Sequence, residues 1–226
     1  MVQKKKSGRA PPADTPANTP AAEPRRRGRP RAYEPDAALG KALDLFRRGG
    51  FAATSLDDLS AATGMNRPSL YGAFGDKREL YIKSYQRYRD EARAATADIF
   101  RADVSVRRQL ERIFAAALDI YLSGDEGPRG CFTVMTAGSE AVHDPDIRAM
   151  VQDALSELDK AFAFCFRRAG ETGELPENAD PAVLAQLASA TIHSIAIRAR
   201  ARAPRGELEA IVKGALDVML GPDPAR

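Results

Sequence analysis

The sequence has no tryptophan, two cysteines and two histidines. No stretch approaches the roughly 20 apolar residues that a membrane-spanning helix needs. Cys131 and Cys165 are too few for a disulfide framework, which points to a reducing, cytoplasmic setting. His143 and His193 leave little material for a metal site, and zinc-finger and His-rich spacings are absent, so no metal and no cofactor are expected. The basic N-terminus has no apolar segment behind it and does not read as a secretory signal. Strand-like alternation and long internal repeats are also missing.

What is present suits one or two compact domains: 226 residues, of which 44% are hydrophobic and 29% charged. The net charge of +3 is unevenly spread. Residues 1–32 carry nine Lys and Arg side chains against Asp14 and Glu23, so this arm is +7 and the rest of the chain −4. A basic arm on a mildly acidic body suggests a polyanionic partner for the arm. The plainer alternative is a solubilising or cloning-derived tail. Residues 1–24 are rich in Pro, Ala and Thr and lack large apolar side chains, so they are expected to be disordered. Residues 25–31 read Arg-Arg-Arg-Gly-Arg-Pro-Arg.

After Tyr33 the pattern turns helical. Leu39, Leu43 and Phe46 define a first helix over about 35–48, stopped by Gly49-Gly50. Thr54 or Ser55 caps a short second helix, with Asp57 or Asp58 as the acid of a capping box, and Leu56, Leu59 and Ala62 inward. Gly64 breaks it. Asn66 caps a third helix in which Pro68 is tolerated at the first turn, and whose inward residues are Leu70 and Phe74. Gly75-Asp76 ends it, and a long fourth helix starts near Lys77. Two short helices joined by a Gly-containing turn form a helix-turn-helix signature.

Residues 35–81 resemble the DNA-binding domain of the TetR/AcrR regulators. The resemblance rests on Ala38 to Phe46, Gly50-Phe51, Thr54-Ser55, Leu59, Ala61-Ala62, Gly64, Ser69-Leu70-Tyr71, Phe74, Lys77, Leu80 and Tyr81. Met65 stands where the family often has Val, and Pro68 where it often has a small residue. The resemblance implies an all-α fold: a three-helix helix-turn-helix domain over 33–80, then a helical ligand-binding and dimerisation domain over 81–222. It implies a homodimeric regulator, a repressor by family default, released from palindromic double-stranded operator DNA by a small-molecule, electrophile or oxidant signal.

The expected DNA-contacting set is Arg29, Arg31, Thr54, Ser55, Asn66, Arg67, Pro68, Ser69, Tyr71, Phe74 and Lys77. Arg67 has the fork to read guanine edges. Asn66 and Ser69 suit capping and phosphate or base contact, and Pro68 or Ala73 suits packing on a thymine methyl. Thr54 and Ser55 sit at a helix start, where N–H groups favour phosphate. Contact of Tyr71 and Lys77 with the DNA backbone is implied by the resemblance. Arg27-Gly28-Arg29-Pro30 resembles an AT-hook core, which would place arginine in a narrow minor groove. A plain basic linker is the alternative.

In the C-terminal half, Val106, Leu110, Ile113, Phe114, Ala117 and Tyr121 form one helical stripe. Ile147, Val151, Ala154, Leu158, Phe162 and Cys165 form another, so Cys165 reads as an inert core thiol. Effector or sensor candidates are Cys131, Phe114, Tyr121, Met135, Phe162 and Phe166. Cys131 follows Gly127-Pro128-Arg129-Gly130, which would set it in a first helical turn beside Arg129. A Gly-Cys at this point resembles a subgroup in which some members sense electrophiles or oxidants. Read otherwise, Cys131 is a small residue packed at a helix start. The last two helices, about 180–201 and 206–220, look like the family's dimerisation pair. Their stripes are Val183, Leu184, Leu187, Thr191 and Ile195, and Leu208, Ile211, Val212, Ala215 and Met219; an intramolecular bundle is the alternative.

Other function classes are carried forward. A cysteine enzyme would use Cys131, His143 and Asp144, but no oxyanion element is visible and no catalytic residue is assigned. A nonspecific architectural DNA binder would need the arm alone. A metal sensor would use Cys131, His143, Cys165 and His193, whose spacing matches no standard site. No membrane partner is expected.

Overall fold

The structure, a computed structural model, describes Met1, residues 34–124 and residues 127–223. The basic arm, with its expected contacts Arg29 and Arg31, otherwise lies outside the described residues. Among the described residues there are ten helices and no strand. They are α1 (Pro35–Ala53), α2 (Leu56–Thr63), α3 (Arg67–Phe74), α4 (Lys77–Arg101), α5 (Val106–Leu122), α6 (Phe132–Ala137), α7 (Glu140–His143), α8 (Pro145–Glu171), α9 (Pro181–Arg200) and α10 (Arg205–Leu220).

The early helix ends are fixed locally. Gly50 takes φ 77 and ψ −178, which interrupts α1 where a stop is expected, and the chain then resumes helical geometry through Ala53. Ser55 caps α2 through a reciprocal box with Asp58: its Oγ accepts from the Asp58 N–H, and the Asp58 carboxylate accepts from the Ser55 N–H at 2.8 Å. Gly64, left-handed at φ 71, closes α2 and turns the chain. Asn66 caps α3 by accepting from the Ser69 N–H at 2.9 Å. Asp76 and Glu79 form a second capping box at the start of α4.

Two cores share the body. The first joins Leu43 and Phe46 of α1, Leu59 of α2, Leu70 and Phe74 of α3, and Tyr81, Tyr85 and Tyr88 of α4 to Phe132, Ile147 and Val151. The second gathers Leu110, Phe114 and Leu118 of α5, Phe162 and Phe166 of α8, Ala188 and Ile195 of α9, and Leu208 of α10. α1 and α4 therefore pack on α6, and α4 packs on α8.

The long helices correct two expectations. α9 is long and apolar enough to cross a membrane by length and composition, although no such stretch is expected; just under half of it is buried inside this body. The proposed dimer stripe is also displaced. Leu184, Ile195, Leu208, Val212 and Met219 are buried in the protomer's own second core. Thr191, Ile211 and Ala215 are partly exposed, and of the expected stripes Val183 and Leu187, at 50% and 44%, are exposed. With them lie two residues outside the expected stripes, Ile197 on α9 and, on α10, Val218 at 80% exposure. The physical reason is that α9 is apolar around most of its circumference, so periodicity does not fix which stripe its own protomer covers.

Candidate nucleic-acid interface and internal cavity

The α2-turn-α3 unit offers one polar face. Asn66, Arg67 and Pro68 are exposed at the start of α3, Ser69 is partly exposed, and Tyr71 is 47% exposed one turn on. Inward spacing of Leu70 and Phe74 produces this face, because both anchor to the first core. Phe74 is thus buried and is withdrawn from the expected DNA set. Thr54 is withdrawn too: it is 4% exposed and its Oγ1 donates to the Gly50 carbonyl at 2.7 Å, closing the α1 kink. Ser55 stays exposed, but its hydroxyl donates to Asp58 at 2.7 Å, so an anion at the start of α2 faces a carboxylate already in place.

Arg67 does not stand free. Its Nε and Nη2 donate to one oxygen of Asp57 at 3.2 and 2.8 Å, across the turn from α2. The pair is exposed, so water screens it and its cost to break is small. Lys77 places its ammonium over the Phe51 ring, 4.2 Å from the centroid, which fixes it at the foot of α4. Lys83 donates to the Phe74 carbonyl at 2.7 Å and satisfies the end of α3.

Behind this unit, α4 presents Tyr81, Tyr85 and Tyr88 at successive helical turns to α6. Tyr81 Oη lies 2.8 Å from Thr136 Oγ1. Tyr85 donates to Thr133 Oγ1 at 3.2 Å, and Tyr88 to Cys131 Sγ at 3.5 Å. The Phe132 ring packs edge-on against all three tyrosines, and Tyr81 packs edge-on against Phe46 and Phe51 of α1. The ladder was not anticipated, although the spacing of the three tyrosines is visible in the sequence.

At the far end of the ladder lies a cavity of about 520 Å³. Its walls come from α4, α5 and α8, with Ile192 of α9 and Cys131 and Thr133 at one end. Phe100, Ile113, Ala117 and Leu158 make it largely apolar, while Arg89, Arg93, Arg101 and Glu157 line it as ionised groups. Of the expected candidates, Cys131 and Tyr121 reach the cavity. Phe114, Phe162 and Phe166 are fully buried in the second core, and Met135 packs on the first, so these four are corrected to core residues. Their helical stripe cannot distinguish a cavity wall from its backing.

Cys131 is the N-cap of the six-residue α6 and makes no side-chain cap bond, rather than sitting within a first turn. Its expected basic neighbour is also different: Arg129 pairs with Asp44 of α1. Arg47 acts electrostatically on both Tyr88 and Cys131, and its guanidinium lies over the Tyr88 ring, 5.2 Å from the centroid. Arg47 is buried; its Nη2 donates to the carbonyls of Ile120 and Gly130 at 2.9 and 3.2 Å, and its Nε has no partner. Burial lowers its pKa. Burial pushes the Tyr88 and Tyr121 phenols well above the tyrosine range, so both stay neutral donors beside the thiol. Arg200 of α9 donates to the carbonyls of Arg47, Arg48 and Arg129, which ties α9 to the end of α1. Gly130, at φ 65, lies against Ala196 and Arg200, where an added Cβ would meet the Ala196 oxygen at 2.9 Å.

Of the supposed nucleophile set, the orienting carboxylate Asp144 is engaged elsewhere. Asp144 caps α8 and accepts from Arg78 at 2.5 Å, which lowers its pKa to about 2. Cys165 is buried, and burial raises its thiol to about 11. Among the described residues no three His, Cys, Asp or Glu side chains gather as metal ligands.

Residues 38–83 match the family model for bacterial regulatory proteins of the tetR family, and residues 106–214 match a tetracyclin repressor-like C-terminal domain. The chain is 36% identical over 177 residues to the HTH-type transcriptional repressor ComR of Escherichia coli K12, covering 77% of this chain and 83% of that one. It is 36% identical over 121 residues to the repressor BdcR of the same strain, covering 54% and 59%. Among solved structures, it is similar to a cysteine-substituted form of the TetR family regulator CifR complexed with 26-base-pair operator DNA: TM-score 0.74, 30% identity, covering 85% of this chain and 100% of that one.

Proposed function

Since this chain belongs to the TetR family of bacterial regulatory proteins, we propose that it acts in the cytoplasm as a homodimeric repressor, released from a palindromic operator by a ligand in the 520 Å³ cavity. The observation that carries this reading is the tyrosine ladder, which joins the cavity to the α1–α3 unit through Tyr88, Phe132, Tyr81 and Phe46. Residues 33–80 serve as the DNA-binding part and residues 81–222 as the effector and dimer part. Arg67 reads a base edge after leaving Asp57; Asn66, Ser69, Tyr71 and Lys77 hold phosphates, and Pro68 meets a thymine methyl. Arg29 and Arg31 extend the contact into the flanking minor groove. Exposed Val183, Leu187, Ile197 and Val218 supply the apolar dimer surface.

Dimerisation sets two recognition helices about 34–36 Å apart to meet successive major grooves. A ligand that binds better when α4 is shifted against α6 draws the population away from that spacing. Both named relatives are repressors, which supports repression over activation. The test is binding stoichiometry on a short palindromic duplex carrying the selected site. Two protomers per duplex are expected; one protomer, or unlimited loading that grows with DNA length, contradicts the reading.

A second signal is favoured by the place of Cys131 on the cavity wall beside the Tyr88 hydroxyl. In this reading its sulfur adds to the β-carbon of an unsaturated carbonyl that enters the cavity, with the proton from sulfur passing to the α-carbon. Selective labelling of Cys131 over Cys165 by N-ethylmaleimide, with loss of operator binding, is expected. Labelling of Cys131 only on unfolding removes this signal.

A further inference from the structure

We propose that the cavity binds a small amphipathic monocarboxylate, whose carboxylate replaces that of Glu157 on Arg89 and Arg93 while its apolar body fills the space between α4, α5 and α8. This rests on reading the cavity as the effector site and adds the class of ligand. Three arginines line the cavity and Glu157 is the one acidic residue among its lining side chains; Arg93 and Arg101 also pair with the exposed Asp90 and Asp98 outside the lining, so an occupant meets guanidinium donors at the wall itself. A cation finds donors there and, in Glu157, a carboxylate already engaged by two arginines. A neutral molecule without an acceptor strips water from the guanidinium groups and returns nothing, which is costly, and a neutral amide returns one uncharged acceptor. An anion restores both hydrogen bonds and charge.

The carboxylate already present shows that the arginine geometry suits this group. Arg89 Nη2 donates to Glu157 Oε2 at 2.5 Å, and Arg93 donates to both oxygens of the same carboxylate. Glu157 is 48% exposed on its side chain and can turn to water, whereas Arg89 is 15% exposed and needs an acceptor where it stands. Exchange of one carboxylate for another therefore leaves Arg89 partnered. Most of the rest of the wall is apolar, as an alkyl or aryl body requires. The exchange also has a mechanical result: it removes the Glu157 bridge between α8 and α4, the helix that carries the tyrosine ladder.

The test uses the full chain and the neutral dye Nile red, displaced by octanoate or by its neutral counterpart octanamide. Ala161→Trp, which fills the cavity, identifies the dye site. Dye binding lost in Ala161→Trp, with octanoate displacing at concentrations about tenfold or more below octanamide, is expected. Arg93→Gln should erase that preference. Glu157→Gln should strengthen octanoate binding, because it removes the competing charge; a merely structural Glu157 would weaken it. Equal displacement by acid and amide, displacement by neither, or weaker octanoate binding in Glu157→Gln overturns the monocarboxylate while leaving the cavity as the effector site. Dye binding that ignores Ala161→Trp, or no dye binding, overturns the cavity reading itself.

Discussion

The α2–α3 unit and the α9–α10 pair hold their shapes by different means. α2 and α3 have eight residues each, too short to persist alone, and side chains at their ends satisfy the backbone: Ser55 with Asp58, Gly64, and Asn66. Two buried anchors, Leu70 and Phe74, then set the outward face of α3. α9 and α10 are 20 and 16 residues long, and α10 has no side-chain cap. What orients them is the cover supplied by α5 and α8, which takes one apolar stripe of α9 and leaves another exposed. Surface design in the first pair is local; in the second it is decided by distant partners.

The largest effects should separate the two stripes of α9. Ile195→Ala opens the second core and should destabilise the protein by about 2–5 kcal/mol in denaturant unfolding. Leu187→Ser, one stripe away, should cost the folded protomer about 0.5 kcal/mol or less but weaken the dimer, read by light scattering at low concentration. If both variants unfold alike and the dimer is untouched, the exposed stripe is not the interface. Next, Arg67→Ala should cost about 1–3 kcal/mol of operator binding and relax one base-pair position. Asp57→Ala should leave Arg67 free and not reproduce that loss; equal losses would make the pair, rather than Arg67, the binding element.

Ser55→Ala breaks the capping box and should lower stability by about 1 kcal/mol, measurable as a shifted unfolding midpoint. The smallest effect is in acid. Arg78 depresses Asp144 from 3.8 to about 2, so its contribution is fully present above pH 3.8 and fades as pH falls toward 2. Arg78→Gln should flatten this part of the stability profile; an unchanged profile between pH 4 and pH 2 would assign the acid response to other carboxylates.

Against these contrasts, the legible parts are those set by neighbours in the chain. The caps at Ser55 and Asn66, the turn at Gly64 and the inward pair Leu70 and Phe74 follow from residues within a few positions. Thr54 was misplaced because a hydroxyl at a helix start and one closing a kink look alike until Gly50 adopts φ 77. Phe114, Phe162 and Phe166 were misplaced because the side of a stripe that borders empty space depends on four helices at once. Arg47 and Glu157 carry no local signal, because their contacts come from residues more than 60 positions away.

The central claim is sequence-specific binding by a dimer, and the most direct measurement is sequencing of genomic fragments selected by the purified full chain, followed by salt titration on the best site. The account predicts a short palindrome bound far more tightly than random DNA, with that preference kept as salt rises. Affinity that depends on salt and fragment length, with no shared motif, would contradict it and leave a nonspecific architectural binder in its place.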